Sequence, residues 1–207
     1  MLIIGKASYL PGMQHETAEK LRCALLMHYL GEKSADVIFR DANGRPTLRI
    51  PQTDISTSHS DGMVFVALCV PGQRMQTGGK PLPGWIQIEE RESDCCRIGI
   101  DIEPIRREDR DRYQRIADRW FFPAEAELLR KIEDMEYYGE AFARMWTQKE
   151  SACKMWGEGI SAIRTINTMD LPENTYITSS VIKTGRETYL CSLCADRPIK
   201  NKSSATL

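Results

Sequence analysis

The run Ile98-Gly99-Ile100-Asp101-Ile102-Glu103 constrains this chain more than any other. Isoleucines at 98, 100 and 102 alternate with Gly99, Asp101 and Glu103, which is the period of a β-strand. Side chains two apart on a strand share a face, so both carboxylates lie on one side and the isoleucines on the other. Two hard oxygen ligands so close together suit Mg²⁺, above all where a substrate phosphate supplies further oxygens. The plainer reading is a half-buried strand with a solvated acidic edge, and these residues alone leave that the commoner case. What decides between the two lies elsewhere in the chain.

Before this strand, an apolar stretch from Met1 to Gly5 reads as a first strand. A helical pattern follows from Met13 to Leu30 and stops at Gly31. Residues 36–40 read as a strand, Asp41-Ala42-Asn43-Gly44 as a turn, and Thr47–Ile50 as its return. Arg45 stands just past that turn, a good place to hold a guanidinium for a phosphate. The hydroxyl-rich run from Ile55 to Gly62 reads as a polar loop leading into an apolar strand, Met63–Val70. Pro71–Gly84, rich in Gly and Pro, reads as a loop, and Trp85–Glu90 as a strand.

After it, Pro104–Arg119 holds six arginines against four acidic residues. It reads as a solvated helix laced with weak ion pairs, or as a basic surface for an acidic partner. Pro123 suits the first turn of a further helix through Ile132. Glu140–Trp156 is the strongest helical segment; Trp146, Glu150 and Lys154, each four apart, share one of its faces. Two strands, about 175–183 and 187–194, turn at Gly185, and Asn201–Leu207 reads as a flexible tail.

A net charge of −1 speaks against general nucleic-acid binding. No apolar run reaches the ~18–20 residues that span a bilayer, and no signal-type leader is seen, so no membrane association and a cytoplasmic location are expected. The seven cysteines are scattered, and reduced thiols are the simplest account. Cys191-Ser192-Leu193-Cys194 has CxxC spacing but no second pair to complete a zinc site, and Cys95-Cys96 reads as incidental.

Three segments combine in order: Gly44-Arg45-Pro46 with the later Ser58-His59-Ser60, then Gly99-Ile100-Asp101-Ile102-Glu103, then Trp146-Thr147-Gln148-Lys149-Glu150-Ser151-Ala152-Cys153-Lys154. Together they resemble the surfactin-type (Sfp-type) 4′-phosphopantetheinyl transferases. That family shows G-[KR]-P, [IL]-S-H-S, G-[IV]-D-[IVL]-E and W-[STC]-x-K-E-[AS]-x-x-K. Phe121 and Phe122 with Glu125 match an F-x-x-x-E-like segment of the family. Ile55-Ser56-Thr57 depart from the aromatic residue and Asn that usually stand before Ser-His-Ser, and residues 71–97 form a longer connection than usual.

The resemblance implies an α+β protein of two similar halves (pseudo-twofold), with the active site in the cleft between them. The halves would be 1–97, carrying the 71–97 insertion, and 98–200, carrying the metal and catalytic motifs, before the 201–207 tail. The implied reaction moves the 4′-phosphopantetheine arm of coenzyme A onto a serine of an apo acyl or peptidyl carrier protein, Mg²⁺-dependent, releasing adenosine 3′,5′-bisphosphate. Asp101, Glu103 and Glu150 match the family's metal ligands. Glu150 would also be the base, and Lys154 would neutralise or protonate the leaving phosphate. Ser58, His59 and Arg45 match coenzyme A contacts, and Lys20 is set at the place of a basic residue on the first helix. A monomer is expected, because one chain supplies both sides of the cleft. Two rivals use the same residues: a Mg²⁺-dependent phosphohydrolase, and a coenzyme A-binding protein without transferase activity.

Overall fold

Strand alternation and helical periodicity divide this chain into mixed elements, and the computed structural model describes residues 1–72, 80–106, 109–185 and 187–200. The elements are β1 (Leu2–Ser8), α1 (Gln14–Leu30), α2 (Ser34–Val37), β2 (Ile38–Arg40), β3 (Pro46–Leu48), β4 (Asp54–Ser60), β5 (Met63–Cys69) and β6 (Gln87–Arg91). There follow β7 (Ile98–Pro104), α3 (Arg110–Trp120), α4 (Pro123–Arg130), α5 (Met135–Trp156), a 3₁₀ helix (Ile160–Thr165), β8 (Tyr176–Thr184) and β9 (Glu187–Ala195). This is the α+β class that the sequence implies.

One antiparallel sheet has the order β4-β5-β1-β6, and a second has the order β7-β9-β8. Alternation assigns each face of the first sheet. Ile3, Val64, Val66 and Leu68 pack under Leu21, Leu25 and Leu26 of α1. Leu2, Ile4, Phe65 and Ala67 face the second sheet and meet Ile98, Ile100, Ile102 and Leu193. At about 25 cal/mol per Å² of apolar surface, these two layers dominate the stability of the fold.

The second sheet is covered on its far side by α5, through Ala152, Cys153 and Met155 against Cys194. Thr147 and Ser192, both fully buried, join their hydroxyls at 2.7 Å across this contact. α5 begins five residues earlier than the periodicity suggests, because Asp134 caps it by accepting the N–H groups of Glu136 and Tyr137.

Three expectations are corrected. The run 55–62 is not a loop but β4 and its turn; Asp61-Gly62, both at positive φ, close the β4–β5 hairpin. Residues 34–37 are helical before β2 begins. The cysteines are not all reduced: the end of β5 and the approach to β7 bring Cys69 and Cys95 together as a disulfide. Cys191 and Cys194 lie on opposite faces of β9, in the inter-sheet core and against α5 respectively, so the CxxC cannot chelate. Among the described residues no helix is long and apolar enough to cross a membrane. Residues 73–79 of the 71–97 segment and the 201–207 tail lie outside the described residues; within that segment, β6 adds an edge strand beside β1.

Candidate active site

β7 is an edge strand, and its N–H groups on the side away from β9 need partners. β4 supplies them from side chains rather than from backbone. Asp54 Oδ2 accepts Ile98 N–H at 2.8 Å, Ser56 Oγ accepts Ile100 N–H at 3.1 Å, and Ser58 Oγ accepts Ile102 N–H at 3.3 Å. The spacing is two residues on each strand, so one face of β4 reads along β7. Ser60 continues the series by donating to Glu103 Oε2 at 3.2 Å.

On β7 the isoleucines face the inter-sheet core, and Asp101 and Glu103 face away from it. Asp101 is only 4% exposed, which overturns the solvated-edge reading. Its Oδ1 accepts the Ser58 hydroxyl at 2.7 Å and the Lys154 ammonium at 2.6 Å. Its Oδ2 is buried and has no hydrogen-bond partner. An orphaned buried carboxylate oxygen is costly, and a cation is the partner that best suits it.

α5 brings Glu150 and Lys154 to the same place. Gly99 lets it approach: a Cβ there would lie 1.8 Å from the Ser151 carbonyl oxygen, in the helix backbone itself. Glu150 Oε2 stands 3.8 Å from Lys154 Nζ. Burial first, and then Asp101, push the Glu150 carboxyl up to about 7, with Lys154 opposing. Glu103 is likewise pushed up to about 7, by burial and then by Asp101. Burial works to lower Lys154, but Asp101 and Glu150 outweigh it and hold the ammonium above its ordinary range. Three carboxylates thus crowd one cation. Among the described residues no three His, Cys, Asp or Glu side chains stand close enough together to hold a metal ion as placed, and Lys154 pairs with Asp101 at 2.6 Å. The donor set, all hard oxygen around an orphaned Oδ2, fits a divalent ion such as Mg²⁺.

The other residues singled out by sequence sort into two groups. Ser58 lies inside the cluster. His59, next on β4, is exposed; burial of its ring, then His15 and Lys154, lower its pKa. Arg45 has its side chain only 8% exposed and paired with Asp54, and it donates from Nε to the Lys154 carbonyl at 2.5 Å and from Nη2 to the Ile98 carbonyl at 3.1 Å. It therefore clasps β4, β7 and the end of α5, helped by Asn43, whose amide donates to the Gly157 carbonyl at 2.5 Å. Lys20 stands apart on the exposed side of α1, paired with Glu16 at 2.6 Å.

Two cavities flank the cluster. One of ≈ 240 Å³ is lined by Gly44, Arg45, Thr57, Glu150 and Lys154. The other, of ≈ 380 Å³, lies beyond Glu103 and is lined by Ser60, Arg106, Tyr113, Phe142 and Trp146.

Sequence reasoning missed His15, whose ring meets His59 edge-on at 5.4 Å, and the hydroxyl ladder of β4. The ladder had a signal, since Asp54, Ser56, Ser58 and Ser60 recur every second residue. The His15 contact had none, because nothing local ties α1 to β4.

The sequence model of the 4′-phosphopantetheinyl transferase superfamily matches residues 97–200, half of the 207-residue chain. The chain is also 30% identical over 148 residues to the 4′-phosphopantetheinyl transferase HetI of Nostoc sp.. That match takes in 69% of this chain and 51% of HetI, so the chain spans about half the length of this relative. The acidic strand, the helix carrying Glu150 and Lys154, and the sheet behind them all fall within the matched residues, and the chain belongs to the 4′-phosphopantetheinyl transferase superfamily.

Proposed function

We propose that this protein transfers the 4′-phosphopantetheine arm of coenzyme A to a serine of an apo acyl or peptidyl carrier protein and releases adenosine 3′,5′-bisphosphate. Family membership supports the reaction class. The observation that carries the site assignment is Asp101: buried, one oxygen orphaned, beside two carboxylates pushed up to about 7. Asp101, Glu103 and Glu150 would hold Mg²⁺, which would supply Lewis-acid stabilisation of the charge on the diphosphate oxygens.

The chain's own residues do the rest. Glu150 takes the proton of the attacking serine hydroxyl; burial and Asp101 push its carboxyl up in the metal-free site, and a bound cation would favour the ionised form that accepts the proton. The serine oxygen bonds to the phosphorus that bears the pantetheine arm, and the anhydride P–O bond to the nucleotide breaks. Lys154, held charged by its carboxylate neighbours, neutralises the departing phosphate. The cavity at Gly44, Arg45 and Thr57 suits the nucleotide end, and Ser58 and His59, which follow Thr57 on β4, would contact the coenzyme A phosphates. The two halves, 1–97 and 98–200, would form the walls of the cleft. The arginines of 106–119 would dock an acidic carrier; Arg106 and Arg112 line the second cavity, while residues 107 and 108 lie outside the described residues. A monomer working in the cytoplasm fits these substrates.

The test follows the nucleotide. The protein is incubated with coenzyme A and Mg²⁺, with and without apo-carriers, and products are separated by chromatography. Release of adenosine 3′,5′-bisphosphate only with carrier supports the proposal. Release without carrier makes the protein a phosphohydrolase. Coenzyme A that binds and is never consumed makes it a binding protein.

A further inference from the structure

One buried charged pair has no part in the chemistry above. Lys149 and Glu125 are both 0% exposed, with Nζ 2.7 Å from Oε2. Glu125 Oε2 also accepts the Phe122 N–H at 2.9 Å, and Oε1 accepts the Thr168 N–H at 2.7 Å and the Thr168 hydroxyl at 2.6 Å. Lys149 Nζ donates to the Ile166 carbonyl and lies over the Phe121 and Phe122 rings, 5.1 and 5.4 Å from their centroids. The pair therefore ties together three separate segments: the start of α4, the chain after the 3₁₀ helix, and the middle of α5.

Stability is a poor reason for such a pair. Replacing a buried ion pair by apolar side chains of similar volume is often neutral or stabilising. What a satisfied buried pair does well is select one geometry among several. The geometry concerned here is that of α5. Lys149 directly precedes Glu150, and successive helical residues project about 100° apart. One side chain is thus locked against α4 while the next faces the cleft. On the β7 side, α5 rests on Gly99 backbone to backbone, and its nearest side-chain ties, Thr147 to Ser192 and Arg45 to the Lys154 carbonyl, lie about one turn to either side of that contact.

We propose that Lys149 and Glu125 form a positioning unit that sets the roll of α5, so that Glu150 and Lys154 face Asp101. The proposal rests on the transferase reading of the site. Neither residue reaches the cleft; both act through Glu150.

The test is the double variant Glu125→Leu, Lys149→Met, which removes both charges at similar volume. It is expected to unfold cooperatively at a lower Tm, because the Phe122 and Thr168 donors lose their acceptor. Its KM for coenzyme A should stay within about 2-fold, while kcat falls about 10- to 100-fold, the loss that follows a displacement of up to 1 Å. Its crystal structure should show the Glu150 carboxylate shifted relative to Asp101. A double variant with parental kcat and Glu150 in place overturns the proposal. Should that variant not fold, Glu125→Gln takes its place, keeping the volume and the bonds from Thr168. A fall in kcat of about 10-fold at unchanged KM supports the positioning role, and unchanged kcat overturns it. If the parent protein transfers no arm, the functional reading fails instead. The variant's crystal structure then decides the positioning claim alone, and an unmoved Glu150 refutes it.

Discussion

Gly99→Ala should separate α5 from β7. The added methyl would sit 1.8 Å from the Ser151 carbonyl oxygen, 2.7 Å from the Met155 nitrogen and 2.9 Å from the Ser151 carbonyl carbon. All three are backbone atoms, so no side chain can swing aside. Moving from 1.8 Å to an ordinary contact near 3.4 Å opens the interface by about 1.6 Å. Overpacking of this kind costs about 1–3 kcal/mol. At about 2–4 °C per kcal/mol for a chain of this size, Tm falls by about 2–12 °C. The sign is diagnostic, because replacing a strand glycine by alanine would otherwise gain about 0.5–1 kcal/mol. Asp101 stays with β7 while Glu150 and Lys154 travel with α5, so a shift beyond 1 Å should lower arm transfer by about 100-fold or more. Thermal unfolding and a carrier-modification time course measure both effects. A Gly99→Ala protein with the parental Tm and rate would refute the claim that backbone contact between β7 and α5 builds the site.

Three further outcomes follow. Glu103 and Glu150 titrate near 7 in the folded protein against an ordinary 4.5. The folded state then binds more protons than the unfolded chain between those values, so stability falls as pH rises through that window. Urea midpoints from pH 5 to 7.5 without divalent ions should drop accordingly and recover on adding Mg²⁺ at pH 7.5, and a flat profile would contradict the crowding of carboxylates. Arg45→Met takes away the close partner of buried Asp54, leaving it Arg97 at 3.9 Å, and should cost about 1–3 kcal/mol in urea unfolding; a neutral result would mean that the clasp is not formed. Ser56→Ala takes away the acceptor for the Ile100 N–H inside the protein and should cost about 1–3 kcal/mol by the same measurement.

What could be read from the chain depended on how local each signal was. The acidic strand and the Glu150 helix were legible because period 2 and period 3.6 are written in consecutive residues. Their meeting was foreseen only through resemblance, since Gly99 as a point of close approach shows itself only once α5 lies on it. In sequence β4 reads as a loop because its alternating face is polar: Asp54, Ser56 and Ser58 point at the backbone of β7 instead of at a core. Hydroxyl-rich runs usually mean turns, and here the tertiary neighbour reverses that preference. Arg45 was legible as a positioned guanidinium, but its partner Asp54 and the Lys154 carbonyl were not. The Cys69–Cys95 bridge and the Lys149–Glu125 pair join segments far apart in sequence, and no local pattern announces either.

The most direct test of the central claim is the intact mass of an apo-carrier after incubation with this protein, coenzyme A and Mg²⁺. The account predicts the mass gain of one phosphopantetheine arm, mapped to a serine, and its loss with a folded Glu150→Gln variant. A carrier whose mass never shifts across fatty-acid, polyketide and peptide synthesis types, or a Glu150→Gln protein that modifies it at the parental rate, would contradict it.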